Sequence, residues 1–324
     1  MKPAIILSTL AALTTSAHAF DLQGHRGARG LAPENTIPGF ETALKIGVST
    51  LELDLAVTRD GVVVVSHDER LNPDITRGPD GQFLKSTGPA IRSLTFDELQ
   101  RYDVGRIRPG SAYAARFRNQ KGMDGVPIPA LTEVFDLAKR SGADHIRFNI
   151  ETKITPQSGN DTPDPETFAA LVAKAVREAG LTARVSVQSF DWRTLRAMKQ
   201  IAPNIERVCL TIEATGFNNI RRGIRGPSQW TAGLDIDDVG GSVPRLVQAA
   251  DCAVWSPYYR NVTAALVGEA HGLGLRVIPW TVNEIDDLMA IYRTGIDGII
   301  SDYPDRARKA LPESVVPPEP VQIR

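Results

Sequence analysis

Eight short apolar runs separated by helical patterns constrain this chain more than any other feature. The runs are 22–25, 51–57, 145–151, 185–190, 208–212, 253–256, 277–281 and 298–301. Helical periodicity fills most gaps, over 35–46, 131–140, 165–179, 191–201, 262–271 and 284–293. Pro38 sits in the first turn of the first of these and Gly47 follows its end, as helix starts and stops require. Asp191 stands where an N-cap is needed. Strand–helix alternation argues for a parallel sheet. Eight such strands in one chain argue for a (β/α)8 barrel, the TIM-barrel architecture. A doubly wound sheet would need a glycine-rich phosphate turn after an early strand. The segment Gly24–Gly30 is interrupted by His25, Arg26 and Arg29 and followed by Pro33, so it reads poorly as one.

Two stretches depart from the repeat. Residues 70–128 are rich in Gly, Pro and Ser, with a short helical piece near 96–102, and are expected as a cap-like insertion after the second strand. Residues 220–241 form a second irregular stretch with Trp230. At the N-terminus, Lys2, an apolar run and Ala17-His18-Ala19 read as a secretory signal over 1–19, too short to span a bilayer. The expected layout is a barrel domain over 20–311 and a loosely ordered proline-rich tail over 312–324, in a periplasmic or secreted protein. A net charge of −1 gives no support for a nucleic-acid partner. No later stretch is apolar enough for a transmembrane segment, and oligomeric state is not legible. Cys209 and Cys252 read as one bridge or as two small buried side chains in neighbouring strands. The second reading is preferred, because most adjacent-strand geometries miss the approach a disulfide needs.

The chemistry concentrates at strand ends. Glu52 and Asp54 alternate in one strand and therefore share a face. Asp60-Gly61 is a two-residue hairpin signal, and a turn that tight sets Asp54 opposite His67. The third strand puts Asn149, Glu151 and Lys153 on one face, and the first ends in His25-Arg26. In a barrel these C-terminal ends converge on one mouth. Three carboxylates without cysteine suit a hard divalent cation, Ca²⁺ or Mg²⁺, better than zinc. Two histidines suit proton transfer, and Arg26 and Lys153 suit a phosphate. Trp280, ending the seventh strand, is placed on the substrate side of the mouth, with simple rim packing as the alternative. Each residue alone has a plainer fate, such as a core salt bridge for Glu52 and Asp54. The ensemble carries the functional reading.

The segments HRGARGLAPENTIPGFETAL (25–44), LELDLAVTRDGVVVVSHD (51–68), IPALTEVFDLAK (128–139), NIETK (149–153), VQSFDWRTL (187–195) and VIPWTVNEIDDLMAIYRTGIDGIISDYP (277–304) resemble the glycerophosphodiester phosphodiesterase family. They run in family order along most of the chain. The resemblance implies a (β/α)8 barrel that hydrolyses glycerophosphodiesters to sn-glycerol 3-phosphate and an alcohol. It implies a divalent cation held by Glu52, Asp54 and Glu151, catalytic histidines at His25 and His67, and phosphate contacts at Arg26 and Lys153. It places the 70–128 stretch where the family carries its insertion and transfers no role to 214–241. The expected division of labour is His25 as base and His67 as acid. Two alternatives stand beside it: a phospholipase D-like lipid phosphodiesterase on the same barrel, and a non-catalytic ligand-binding barrel.

Overall fold

The computed structural model describes residues 19–315 and 319–321. The signal-peptide expectation thus lies outside the described residues except for Ala19, as does about half of the expected tail. In chain order the strands are β1 (Asp21–Gly24), β2 (Thr50–Val57), β3 (Val63–Val65), β4 (Arg147–Thr152), β5 (Val185–Ser189), β6 (Glu206–Thr211), β7 (Glu213–Ala214), β8 (Phe217–Asn218), β9 (Val254–Pro257), β10 (Arg276–Val277) and β11 (Gly298–Ser301). Eight of them form a parallel sheet in the order β10-β9-β6-β5-β4-β2-β1-β11. Backbone hydrogen bonds from Asp297 N–H to Val277 O (2.9 Å), Ile300 N–H to Pro279 O (2.9 Å) and Val282 N–H to Ile300 O (3.0 Å) cross the remaining seam. The result is the nearly closed barrel expected from eight strand runs.

The helices are α1 (Ile37–Ile46), α2 (Phe96–Leu99), α3 (Ala112–Arg116), α4 (Leu131–Arg140), α5 (Pro165–Glu178), α6 (Trp192–Ile201), α7 (Val243–Ala249), α8 (Ala264–Gly272), α9 (Ile285–Tyr292) and α10 (Pro304–Ala310). Their ends follow local chemistry. Thr36 accepts from Gly39 N–H to start α1, and Gly47 ends it in the left-handed region at φ 86°. Asp164 caps α5 with Pro165 at its first position. The sequence pattern overlooks α3, α7 and α10. Each is five to seven residues long, too short to display a repeating apolar stripe.

β2 shows how the core fixes the site. All eight of its residues are buried. Leu51, Leu53 and Leu55 join the main hydrophobic core, each contributing about 2–3 kcal/mol by leaving water. The alternate positions carry Glu52 and Asp54, so anchoring one face of the strand aims two carboxylates from the other.

The β2–β3 hairpin corrects one expectation. Leu55 faces Val65 and Val57 faces Val63, and Ser66 N–H bonds Asp54 O at 2.9 Å. Asp54 therefore opposes Ser66, not His67. The connection holds three residues, Arg59, Asp60 and Gly61, with Gly61 at φ 83°. Thr58 N–H bonds Val62 O at 3.0 Å, and Val62 N–H bonds the Thr58 hydroxyl at 3.0 Å. A left-handed glycine closing a three-residue loop is the usual alternative to the two-residue turn. It shifts the register by one.

Residues 70–128 hold only short helical turns, including α2 and α3. Leu71, Ile91, Leu99, Val104 and Ile128 pack around Ala56 and Val64 of the hairpin in a small separate cluster. The irregular stretch after β6 contains the β7–β8 ribbon, with Ala214 facing Phe217. Cys209 of β6 and Cys252, just before β9, form a disulfide with Cα atoms 5.9 Å apart. The preferred expectation of two free side chains is therefore corrected. β6 and β9 are adjacent in the sheet, and residues close to the two strands reach the Cα separation a bridge needs. The described part of the tail is not loose throughout. Val321 packs on the main core, and its N–H bonds Leu44 O at 3.1 Å.

Candidate active site

The C-terminal ends of β1, β2, β4 and β5 meet in a cavity of about 330 Å³. His25, Arg26, Glu52, His67, Glu151, Lys153 and Trp280 line it, and Asp54 is buried beside them. Every residue singled out from the sequence is thus brought together. His67 arrives by a different route, from the chain leaving β3 rather than from direct pairing.

Glu52, Asp54 and Glu151 each offer a carboxylate oxygen within 4.8 Å of the others. All three are buried. Burial and the neighbouring Asp54 push the Glu52 carboxyl well above its usual range. Burial pushes Glu151 up to about 7 although Lys153 opposes it. Burial would also raise Asp54, but Arg26, His67 and Lys153 outweigh it and hold the group ionised. Asp54 Oδ1 is buried with no hydrogen-bond partner, a costly state for a carboxylate oxygen. Crowded hard oxygens, raised carboxyls and an orphaned oxygen fit a divalent cation, which would relieve all three. The donor set does not discriminate Ca²⁺ from Mg²⁺.

Surrounding groups orient these carboxylates. Glu52 accepts from Arg26 N–H at 2.8 Å and from Gln188 Nε2 at 2.7 Å. Asp54 accepts from Asn35 Nδ2 at 2.9 Å. Arg26 and Asn35 both sit at positive φ, 51° and 55°, a backbone state disfavoured for side chains with a Cβ. The turn after β1 is held there by close contact. A Cβ on Gly24 would come within 2.1 Å of Gly27 O, so the turn requires glycine.

The cations are already engaged. Arg26 Nη1 bonds Glu34 at 2.7 Å, and its Nε lies 3.0 Å from Asp54 Oδ2. That Nε has no hydrogen bond of acceptable angle, so the contact is an ion pair with a spare donor. Lys153 Nζ is 2.8 Å from Glu151 and 3.8 Å from Asp54. Burial disfavours its charge, but those two carboxylates hold it protonated.

Each histidine has a carboxylate behind it. His25 Nδ1 lies 2.6 Å from Asp302 Oδ1, and its Nε2 is 3.9 Å from Glu52 Oε2. Asp302 also accepts from Arg29 Nε at 2.8 Å and from Asn283 Nδ2 at 2.7 Å. Burial, then Arg29, lowers the His25 pKa to about 4. His67 Nδ1 lies 2.7 Å from Asp68 Oδ1. Burial, Arg26 and Lys153 lower its pKa too. Arg29 Nη2 approaches His25 Nδ1 at 3.3 Å, but the shorter contact to an ionised Asp302 assigns the Nδ1 proton to His25.

Trp280 combines rim packing with a place in the cavity lining. Its Nε1 bonds Ser256 O at 3.0 Å, and its ring packs on Phe190 at 5.3 Å between centroids, yet it lines the cavity. Sequence reasoning missed Arg29, Asn35, Tyr113 and the role of Gln188. Asn35 precedes the Thr36 cap of α1 and turns its side chain to Asp54. Tyr113 hydrogen-bonds Glu34 from within 70–128, where no local pattern marks it. Gln188 had one available signal, its polar side chain near the end of the fourth apolar run, and the structure pairs it in register with Glu151.

The Glycerophosphoryl diester phosphodiesterase family model matches residues 25–306. A Caldanaerobacter subterraneus subsp. tengcongensis glycerophosphodiester phosphodiesterase is 29% identical over 281 residues, covering 87% of this chain and 93% of that protein. A Bacillus subtilis glycerophosphodiester phosphodiesterase is 29% identical over 286 residues, covering 88% and 84%. A Silicibacter pomeroyi crystal structure assigned to glycerophosphoryl diester phosphodiesterase superposes with a TM-score of 0.81 at 33% identity, covering 93% of this chain and 95% of that one. An Oleispira antarctica phosphodiesterase, solved with the product sn-glycerol-3-phosphate, shares the fold with a TM-score of 0.64 at 22% identity, covering 90% and 96%. The matched span runs from His25 past Asp302 and so contains every residue of the acidic site and both histidines. The chain belongs to the glycerophosphoryl diester phosphodiesterase family, and its enzyme type is that of a glycerophosphodiester phosphodiesterase.

Proposed function

We propose that the protein hydrolyses glycerophosphodiesters to sn-glycerol 3-phosphate and a free alcohol, with His25 as general base and His67 as general acid. The observation that carries this reading is the convergence of the buried Glu52, Asp54 and Glu151 with two carboxylate-backed histidines at one cavity. A divalent cation held by the three carboxylates would supply Lewis-acid stabilisation of a phosphoryl oxygen. Arg26, with its spare Nε donor, and Lys153 hold the remaining phosphate charge. Asp302 keeps the proton on His25 Nδ1, which leaves Nε2 with a free lone pair. A pKa near 4 keeps that imidazole neutral at neutral pH, as a base must be. The nucleophile it serves is water, or the neighbouring glycerol hydroxyl by way of a cyclic phosphate. Asp68 supports a proton on His67, and the bound phosphodiester anion offsets the opposing field of Arg26 and Lys153. His67 then protonates the leaving alkoxide.

We also propose an exported protein. The reading is supported by the N-terminal charge and apolar order and by the disulfide, since disulfides persist in oxidising compartments. Among the described residues no helix is long and apolar enough to cross a membrane.

The test is a coupled assay for sn-glycerol 3-phosphate release from several headgroups, with and without chelator. Release that chelation abolishes and Ca²⁺ or Mg²⁺ restores is expected. Tight diester binding with no turnover under any metal would instead identify a binding barrel.

A further inference from the structure

A second, wider groove of about 780 Å³ opens beside the catalytic cavity and shares His67, Glu151, Lys153, Phe190 and Trp280 with it. It does not share His25, Arg26, Arg29 or Tyr113, which line only the smaller cavity. The two spaces therefore adjoin along a common wall that includes His67, and His25 is met only in the smaller one. If His67 protonates the leaving alkoxide and the smaller cavity, with His25 and Arg26, holds the glycerol phosphate end, the groove is the space left for that alcohol. The inference rests on that reading of the reaction.

The groove wall is aromatic. Phe190 packs on Trp280 at 5.3 Å and on Phe217 at 5.2 Å, and Phe217 packs on Trp230 at 5.1 Å. All four rings are only partly buried. Phe217 and Trp230 come from the irregular stretch after β6, the part of the chain to which family resemblance gave no role. Near-perpendicular packing lets consecutive rings present surfaces in different directions, as a cage around a compact group needs. The basic groups on the wall, Lys153 and Arg70, are already paired. Lys153 is paired with Glu151 at 2.8 Å, and Arg70 with Asp161 at 2.6 Å. Asp68, engaged by His67 and Asn72, and Glu69, hydrogen-bonded by Ser158, have no Lys or Arg ion-pair partner among the described residues and leave the lining acidic. Aromatic faces with surplus carboxylate recognise a weakly hydrated cation by cation–π attraction and Coulomb force together.

We propose that this groove is the leaving-alcohol subsite and selects alcohols bearing a quaternary ammonium group, with Phe217 and Trp230 as specificity-determining residues. The wall adds no catalytic group. It orients the diester so that the departing oxygen lies beside His67.

The experiment compares kcat/KM for glycerophosphocholine with that for its neutral isostere, the 3,3-dimethylbutyl ester, in the metal-loaded enzyme. The choline ester should be favoured about tenfold, the range of a desolvated cation–π contact. Trp230→Leu and Phe217→Leu should bring that ratio toward one. Damage to the fold lowers both rates together and leaves the ratio intact, so a variant that slows both esters equally overturns the role of these residues. A wild-type ratio near one, with both esters hydrolysed, overturns the inference alone. Lysophosphatidylcholine favoured more than tenfold over glycerophosphocholine, with Trp230→Leu removing that preference, would place an acyl chain in the groove and also overturn it. Hydrolysis of neither diester would remove the enzymatic reading and this inference with it.

Discussion

Cation binding and proton binding should compete at the acidic site, and the structure sets the size of the effect. Glu151 is pushed up to about 7 by burial, and burial beside Asp54 raises Glu52 as well. A divalent cation needs both carboxylates ionised. The Glu151 contribution to affinity is therefore full only well above pH 7 and is lost as pH falls through 7. For one displaced proton at that pKa, the apparent dissociation constant rises about 10-fold from pH 8 to pH 6, and about 100-fold to pH 5. Glu52 can only steepen this. Isothermal titration calorimetry with Ca²⁺ or Mg²⁺ at pH 6 and pH 8, in buffers of different ionisation enthalpy, measures both affinity and protons released. About 0.9 proton per ion at pH 6 is expected from Glu151 alone. Glu151→Gln should weaken binding and flatten its pH dependence together. An affinity that is flat from pH 6 to pH 8, with no proton release, would refute the reasoning.

Two other perturbations follow from the geometry. Asp302 Oδ1 accepts from Arg29 Nε at 2.8 Å and meets His25 Nδ1 at 2.6 Å, while Oδ2 accepts from Asn283 at 2.7 Å. Asp302→Asn sets an amide NH₂ against donors on one side, so kcat should fall about 10²–10³-fold with KM little changed; a loss confined to KM would contradict the orienting role. The Cys209–Cys252 bridge closes a loop at a sequence separation of 43. The Cys209→Ala, Cys252→Ala double variant should lose about 2–4 kcal/mol, read as a fall of about 3–6 °C in Tm by calorimetry, and an unchanged Tm would contradict it.

What the sequence disclosed follows the range of each interaction. Strand runs and strand-end polar residues are local patterns, so the eight barrel strands and the Glu52, Asp54 and Glu151 set were legible. The hairpin register was not, because Asp60-Gly61 suits both two- and three-residue loops, and the Thr58 hydroxyl bond to Val62 N–H that accompanies the longer one is invisible in a pattern. Tyr113 and Arg29 reach the site through contacts between distant segments, as in the Tyr113–Glu34 hydrogen bond. No periodicity marks such residues. The disulfide depended on the exact approach of β6 and β9, which strand order alone leaves open.

The division of labour between His25 and His67 is tested most directly by changing the leaving group. Each histidine is replaced by alanine, and kcat is measured on glycerophosphocholine and on the 4-nitrophenyl diester, whose phenolate leaves without a proton. His67→Ala should lose about 10²–10⁴-fold on the choline ester and recover most of that loss on the nitrophenyl ester. His25→Ala should lose comparably on both. Equal losses for His67→Ala on the two esters, or near-wild-type turnover by either variant, would contradict the account.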